Sequence, residues 1–377
     1  MGHNMKNTRT FGTSVLTILA LLICMLSATA ADTDNGRQTF ARSTDNDGIV
    51  KIILYYDMEG LAGQNIITSI DYPRPEYFEA RKLLTDDVNA VIDGLFAGGA
   101  DSVIVVDAHG SFNPEPDILL DEMDPRAKML YKDHKFDPYA DLPLEDHYDA
   151  VVAVGMHSKT NGGGFAEHTI NLGNIWIFNG RSVNESEILA YSWGRKGIPL
   201  IMVTGDNKLA AQLSWMTWLQ YVTVKEAKGI DDALLYPVDS VHREMRKAAE
   251  RAIENLDNAK AVGLTSPITV TLGAKPPADL SILENVPGIN YHDESVTFTA
   301  ADFAEAYKGM RGLLAVAQSG YYDIAANLLF SESDGFKKFK DAVLDTWREA
   351  ASAKPQPNEN QSAKPPAEKK QQYFGSK

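Results

Sequence analysis

The stretch Lys51-Ile52-Ile53-Leu54-Tyr55-Tyr56, followed at once by Asp57-Met58-Glu59-Gly60, decides how this chain is read. The apolar run predicts a strand, and side chains on a strand alternate faces with a period of two. Asp57 and Glu59 therefore point the same way from its C-terminal end. Two carboxylates in one small volume repel each other unless a positive partner sits between them, and a metal ion is the simplest such partner.

Working outward, the residues from Glu76 to about Gly98 place Tyr77, Leu84, Val88, Val91, Ile92 and Leu95 at helical spacing, and Gly98-Gly99 stops the helix. Ser102 to Val106 is a continuous apolar run, the pattern of a strand covered on both faces. Strand, long helix and second buried strand make a right-handed βαβ unit and imply a parallel sheet. Tyr148 to Val154 and Ile198 to Val203 read as further buried strands, and Asn174 to Phe178 as a strand entering a turn at Asn179-Gly180-Arg181. Glu185 to Lys196 reads as a helix, and Asp206 or Asn207 caps another through Trp218. The expected fold is α/β: a three-layer sandwich with a mainly parallel sheet over 49–260, preceded by a flexible polar leader over 31–48. In 261–318, Ile268 to Leu272 and Ser295 to Thr299 alternate like half-exposed strands before a helix from Ala301 to about Ala317, a smaller α+β unit that completes the domain. A C-terminal helix over 319–350 and a disordered Pro, Gln and Lys-rich tail over 351–377 follow.

At the other end, Lys6 and Arg9 precede the apolar run Val15 to Leu26, and Ala28-Thr29-Ala30 follows with small residues at cleavage spacing. This predicts a secretory signal peptide over 1–30 and an exported protein, periplasmic or secreted. The apolar core is short beside the roughly 20 residues that span a bilayer, so no stable membrane span is expected after cleavage. Formal net charge is −15, and removing 1–30 takes away two positive charges and no negative ones. So acidic a chain is a poor partner for nucleic acid or an anionic membrane. Cys24 is the only cysteine and leaves with the leader, so a metal site in the mature chain has to use His and carboxylate ligands.

Ligands of open parallel sheets bind outside the C-terminal ends of the strands. Polar residues gather at those ends here: Asp57-Met58-Glu59 after the first strand, Asp107-Ala108-His109-Gly110 after the second, Gly155-Met156-His157 at the third. Asp107 reads as a group that orients His109 through its ring N–H rather than as a ligand. The loop Asn161-Gly162-Gly163-Gly164 leads to Glu167-His168-Thr169 and could carry His168 over the strand ends. Glu185 stands at a helix start, where a carboxylate also suits the helix dipole, and Glu187 is an alternative ligand two residues on. Asp206 is most simply a helix cap.

The ordered set Asp57-Met58-Glu59-Gly60, Asp107-Ala108-His109-Gly110-Ser111, Gly155-Met156-His157, Glu167-His168 and Asn179-Gly180-Arg181-Ser182-Val183-Asn184-Glu185 resembles the zinc-dependent D-aminopeptidase family, from about Lys51 to Ala317. The resemblance implies two zinc ions per subunit. By position, Asp57 would bridge both metals, Glu59 and His109 would complete one, and His157 and Glu185 the other. The family's catalytic histidine falls on His168, eleven residues after His157. A homo-oligomer, a ring or decamer, is implied by the resemblance alone.

The expected function is thus an exported binuclear zinc aminopeptidase that removes the N-terminal residue of short peptides or amides containing D-residues, by metal-activated water with His168 as the catalytic histidine, which on the sequence either moves a proton to the leaving nitrogen or acts as nucleophile. Two other classes stay open on the sequence: a metal-dependent amidohydrolase of a non-peptide or L-configured amide, and a periplasmic metal- or peptide-binding protein without turnover.

Overall fold

The computed structural model describes residues 36–43, 48–130, 137–140, 147–319, 321–322, 324–325 and 334–352. The expected signal peptide and the tail from 353 onward lie outside the described residues. In chain order the elements begin with β1 (Arg37–Ala41), β2 (Lys51–Tyr56), α1 (Pro75–Ala97), β3 (Ser102–Asp107), β4 (Lys128–Leu130) and β5 (Ala150–Met156). There follow β6 (Asn174–Phe178), β7 (Arg181–Ser182), α2 (Glu185–Gly194), β8 (Leu200–Asp206), α3 (Asn207–Leu213), β9 (Gln220–Gly229) and β10 (Asp232–Leu235). The last group is α4 (Val238–Glu254), β11 (Lys260–Leu264), β12 (Ile268–Ala274), β13 (Tyr291–His292), β14 (Ser295–Ala300), α5 (Phe303–Ala317) and α6 (Gly335–Ser352).

A seven-stranded sheet in the order β10-β9-β8-β5-β2-β3-β4 forms the middle layer, parallel throughout except where β10 returns against β9. The alternation of β2 assigns its neighbours. Ile52, Leu54 and Tyr56 pack with α1 and α4 on one face, while Ile53 and Tyr55 pack on the other with α2, α5 and the antiparallel sheet. With both faces covered, every residue from Ile52 to Tyr56 is fully buried, which is why the strand reads as a continuous run.

Connections from β2 run outward one way through β3 to β4 and the other way from β5 to β8 and β9. The β2–β5 boundary is thus the topological switch point, where the chain leaves a crevice beyond the strand ends.

Several expectations are corrected. Within the leader, Arg37–Ala41 is a strand paired antiparallel with Lys260–Leu264, so that part is tied to the domain. Asn174–Phe178 joins no parallel sheet; it pairs with β12 in a second, antiparallel sheet ordered β13-β14-β12-β6-β7. The α+β segment after residue 261 therefore borrows two strands from the middle of the chain. The helix capped by Asp206 ends at Leu213 rather than Trp218, which frees Gln220–Gly229 to form the long strand β9. That strand and β10 were not expected from the sequence, because Tyr221-Val222-Thr223-Val224 is short and is broken by Lys225. No helix among the described residues is long and apolar enough to cross a membrane.

Candidate metal centre

Backbone contact, more than side-chain packing, draws the first acidic motif onto the neighbouring strand. Asp57 N–H donates to the Val154 carbonyl at 2.8 Å and Gly60 N–H to the Gly155 carbonyl at 2.7 Å. A Cβ on Gly60 would stand 2.0 Å from the Met156 carbonyl oxygen, and one on Gly155, at φ +76°, 2.1 Å from that of Asp57. Only glycine permits this approach, and it brings Asp57 beside His157.

Asp57, Glu59 and His109 offer ligand atoms that all lie within 4.8 Å of one another; so do Asp57, His157 and Glu185. Asp57 is common to both groups. Glu59, His157 and His168 form a third such set. Every residue expected at the site is therefore brought to one place, and Asp57, Glu59, His157 and Glu185 are each no more than 4% exposed.

The histidines share one arrangement. His109 Nε2–H donates to the Ile70 carbonyl at 2.8 Å, which leaves Nδ1 as the nitrogen facing Asp57 Oδ1 at 2.7 Å and Glu59 Oε2 at 3.5 Å. His157 Nδ1–H donates to the Ser158 carbonyl at 3.0 Å, and its Nε2 faces Glu185 Oε1 at 3.3 Å and Asp57 Oδ2 at 3.5 Å. His168 Nδ1–H donates to the Ala166 carbonyl at 2.9 Å, and its Nε2 lies 3.8 Å from Glu185 and 3.9 Å from Glu59. A carbonyl can only accept, so each ring has its tautomer set from outside and turns its other nitrogen to the carboxylates. Nε2 of His157 is buried with no hydrogen-bond partner among the described residues.

The electrostatics follow from that geometry. Burial alone would raise the Asp57 carboxyl, but the hydrogen bond from His109 and the His157 ring facing it outweigh it and hold the group well below the carboxylate range. Burial would likewise push His109 and His157 down; the facing carboxylates, Glu59 first for His109 and Glu185 first for His157, lift both well above an ordinary histidine. The pocket thus favours positive charge at the two nitrogens that look into it, the condition a divalent cation meets. His168 behaves oppositely. Burial, reinforced by the charge of His157, keeps it below its usual value and therefore neutral.

Glu185 and Glu187 separate cleanly. Glu185 Oε2 accepts from the Tyr139 hydroxyl at 2.6 Å and Oε1 from Ile170 N–H at 2.6 Å, which aims the carboxylate at His157. Glu187 turns away: it closes a capping box with Asn184, pairs with Arg181 and accepts from Trp215 Nε1 at 3.1 Å. Asp107 does not orient the His109 ring as expected; it accepts the His109 backbone N–H at 3.0 Å, and the Ile70 carbonyl takes the ring proton. Asp206 is the cap of α3 and also accepts Phe165 N–H at 2.8 Å, which ties down the loop that carries His168. Buried Glu167 accepts Gly164 N–H at 3.0 Å and holds the glycine loop from inside.

Two residues escaped the sequence reading. Tyr139, a lone tyrosine, carries no signal in its surroundings. Lys225 is fully buried, with its ammonium bonded to the Glu59 carbonyl at 2.8 Å, the Gln64 carbonyl at 2.7 Å and Gln64 Oε1 at 2.9 Å, over the ring of Phe165. A lysine amid the β-branched residues of β9 was the available clue. Burial brings its ammonium down to about 7.

A family model described as D-aminopeptidase matches residues 50–312. The D-aminopeptidase of Bacillus subtilis (strain 168) is 26% identical over 270 residues, which span 69% of this chain and 95% of that relative. Among solved structures, the Zn-dependent D-aminopeptidase DppA from Bacillus subtilis, a self-compartmentalizing protease, superposes with a TM-score of 0.65 at 22% identity, over 72% of this chain and 98% of that one. That last likeness bears on the fold, and it agrees with the mainly parallel sheet found here. The family match covers well over half of the chain, and it includes each of the six residues gathered at the switch point: this chain belongs to the D-aminopeptidase family.

Proposed function

We propose that this protein is an exported binuclear zinc aminopeptidase that hydrolyses the N-terminal residue of short peptides or amides containing D-amino acids. The observation that carries the reading is the pair of ligand groups joined at Asp57, each with a histidine nitrogen aimed into it by a backbone carbonyl. One group, Asp57, Glu59 and His109, would hold the first ion, and the other, Asp57, His157 and Glu185, the second. Their oxygen and imidazole donors suit zinc, and the carbonyl behind each ring is the support that zinc-binding histidines commonly have. Zinc in both positions would supply Lewis acidity toward the scissile carbonyl and a nucleophile from water at neutral pH.

The chain's own residues provide the proton path. Neutral His168 has Nδ1–H fixed on the Ala166 carbonyl, so its Nε2 lone pair is the basic atom facing the centre. It takes a proton from the attacking water and returns it to the leaving nitrogen as the C–N bond breaks, giving an amine and a carboxylic acid that then ionises. A centre this deeply buried accepts the end of a peptide and not its middle, which favours aminopeptidase over endopeptidase action. Export rests on the signal-like residues 1–30, and the self-compartmentalizing character of the Bacillus subtilis relative supports a homo-oligomer.

Purified protein is expected to contain about two zinc ions per chain and to release D-alanine from D-Ala-D-Ala or a D-alanyl amide. A parallel panel of L-alanyl substrates tests the configuration. Full turnover by metal-stripped protein, or by His168→Ala, overturns the mechanism.

A further inference from the structure

The family match ends at residue 312, and beyond it α6 comes back to lie against the metal centre. Trp347 of that helix stands edge-on to the His168 ring, 6.1 Å between centroids at 82°, and is 1% exposed. With Leu344 it packs on Phe165 and Ala166, the residues that lead into Glu167-His168. The other flank of α6 is held by charge. Asp341 pairs with Arg74, and Lys340 pairs with Asp71 and donates to the Tyr72 carbonyl. That turn directly follows Ile70, whose carbonyl orients His109. The helix therefore spans the centre from the His109 wall to the His168 loop.

We propose that α6 is a lid in cis and that Trp347 is a specificity-determining wall of the substrate site. The inference rests on the aminopeptidase reading. The amino end of a substrate enters toward the carboxylates, and the chain beyond the scissile bond has to leave past His168, where the indole stands. A seated lid therefore sets a short limit on peptide length. The indole N–H is buried without a hydrogen-bond partner among the described residues, a donor open to a carbonyl of the bound peptide. Ion pairs anchor the helix at one edge and a small apolar patch at the other, a combination weak enough to open locally for turnover.

The test uses the full chain and its Trp347→Ala, Trp347→Phe and Asp341→Arg variants. One readout is the ratio of kcat/KM for D-Ala-D-Ala to that for D-Ala followed by five L-alanines. The other needs no turnover: the rate at which diethyl pyrocarbonate modifies His168 in zinc-free protein, followed by peptide mapping. Wild type is expected to favour the short peptide at least about tenfold. Trp347→Ala and Asp341→Arg should each bring the ratio toward one through gain on the long peptide, and should speed His168 modification about tenfold. Trp347→Phe keeps the bulk and should keep the ratio. An unchanged ratio in both Trp347→Ala and Asp341→Arg overturns the length limit, and an unchanged modification rate in both overturns the lid. If neither peptide is cleaved by any form while His168 still becomes accessible in the two lid variants, the lid stands and the aminopeptidase reading falls.

Discussion

The imidazoles of His157 and His168 are stacked, 4.0 Å between centroids and 11° from parallel, yet their surroundings shift them in opposite directions. His157 looks onto Glu185 and Asp57 and is lifted; His168, behind it, is buried beside that charge and lowered. Stacking two rings so closely requires that one stay neutral, and a neutral ring is what proton transfer needs. His168→Ala is expected to lower kcat about 10²–10⁴-fold while bound zinc, measured by mass spectrometry of the metal, stays at the wild-type level. Loss of zinc along with activity would move His168 into the ligand set, where its proximity to Glu59 and His157 also allows it.

Of the two groups proposed to hold the ions, Asp57 belongs to both, whereas Glu59 belongs only to the one with His109. Asp57→Ala should therefore remove more zinc than Glu59→Ala. Equal losses at equal free zinc would count against a shared Asp57.

The two glutamates of α2 are expected to part company. Glu185→Gln should lose zinc and activity, since its carboxylate faces His157 with Tyr139 behind it. Glu187→Gln should keep zinc and lose roughly 1–3 kcal/mol of stability, because it weakens the cap and strips the charge from a buried partner of Arg181. Thermal unfolding with parallel metal analysis separates the two.

Gly155→Ala would meet the Asp57 carbonyl at 2.1 Å in a backbone conformation, φ +76°, that alanine resists. The cost should reach at least about 3 kcal/mol, with zinc lost from whatever protein remains folded, since the strain lies at the junction of Asp57 and His157. Denaturant unfolding of the zinc-free variant measures it.

Away from the centre, His242 Nε2–H donates to Asp87 at 2.7 Å, and this pairing raises the histidine above its usual value. Burial, the larger influence on Asp87, lifts that carboxyl in spite of His242. Both groups hold protons more tightly folded than unfolded, so both act in the same direction. The His242 contribution is complete below an unfolded value near 6.5 and is lost as pH rises through its higher folded value. His242→Ala should thus destabilise the protein more at pH 6 than at pH 9, read from denaturation midpoints. An equal effect at both pH values would rule out this linkage.

Much was legible in the residues alone. The runs Lys51 to Tyr56, Ser102 to Val106 and Tyr148 to Val154 read as buried strands because a sheet covered on both faces leaves no polar position to interrupt them. The gathering of polar residues at their C-terminal ends was readable for the same reason, since a polar cluster directly after such a run has the strand end as its natural place. Tertiary structure alone decided the rest. Glu185 and Glu187 lie two residues apart on one helix, and only the positions of His157 on one side and Arg181 on the other show which carboxylate faces the centre. The Ile70 carbonyl behind His109, Tyr139 behind Glu185, Lys225 beneath Glu59 and Trp347 beside His168 come from segments distant in sequence. Local periodicity reports which face of an element is buried, but a partner across the fold is chosen by sheet order and helix placement, and these exist only once the chain has closed on itself.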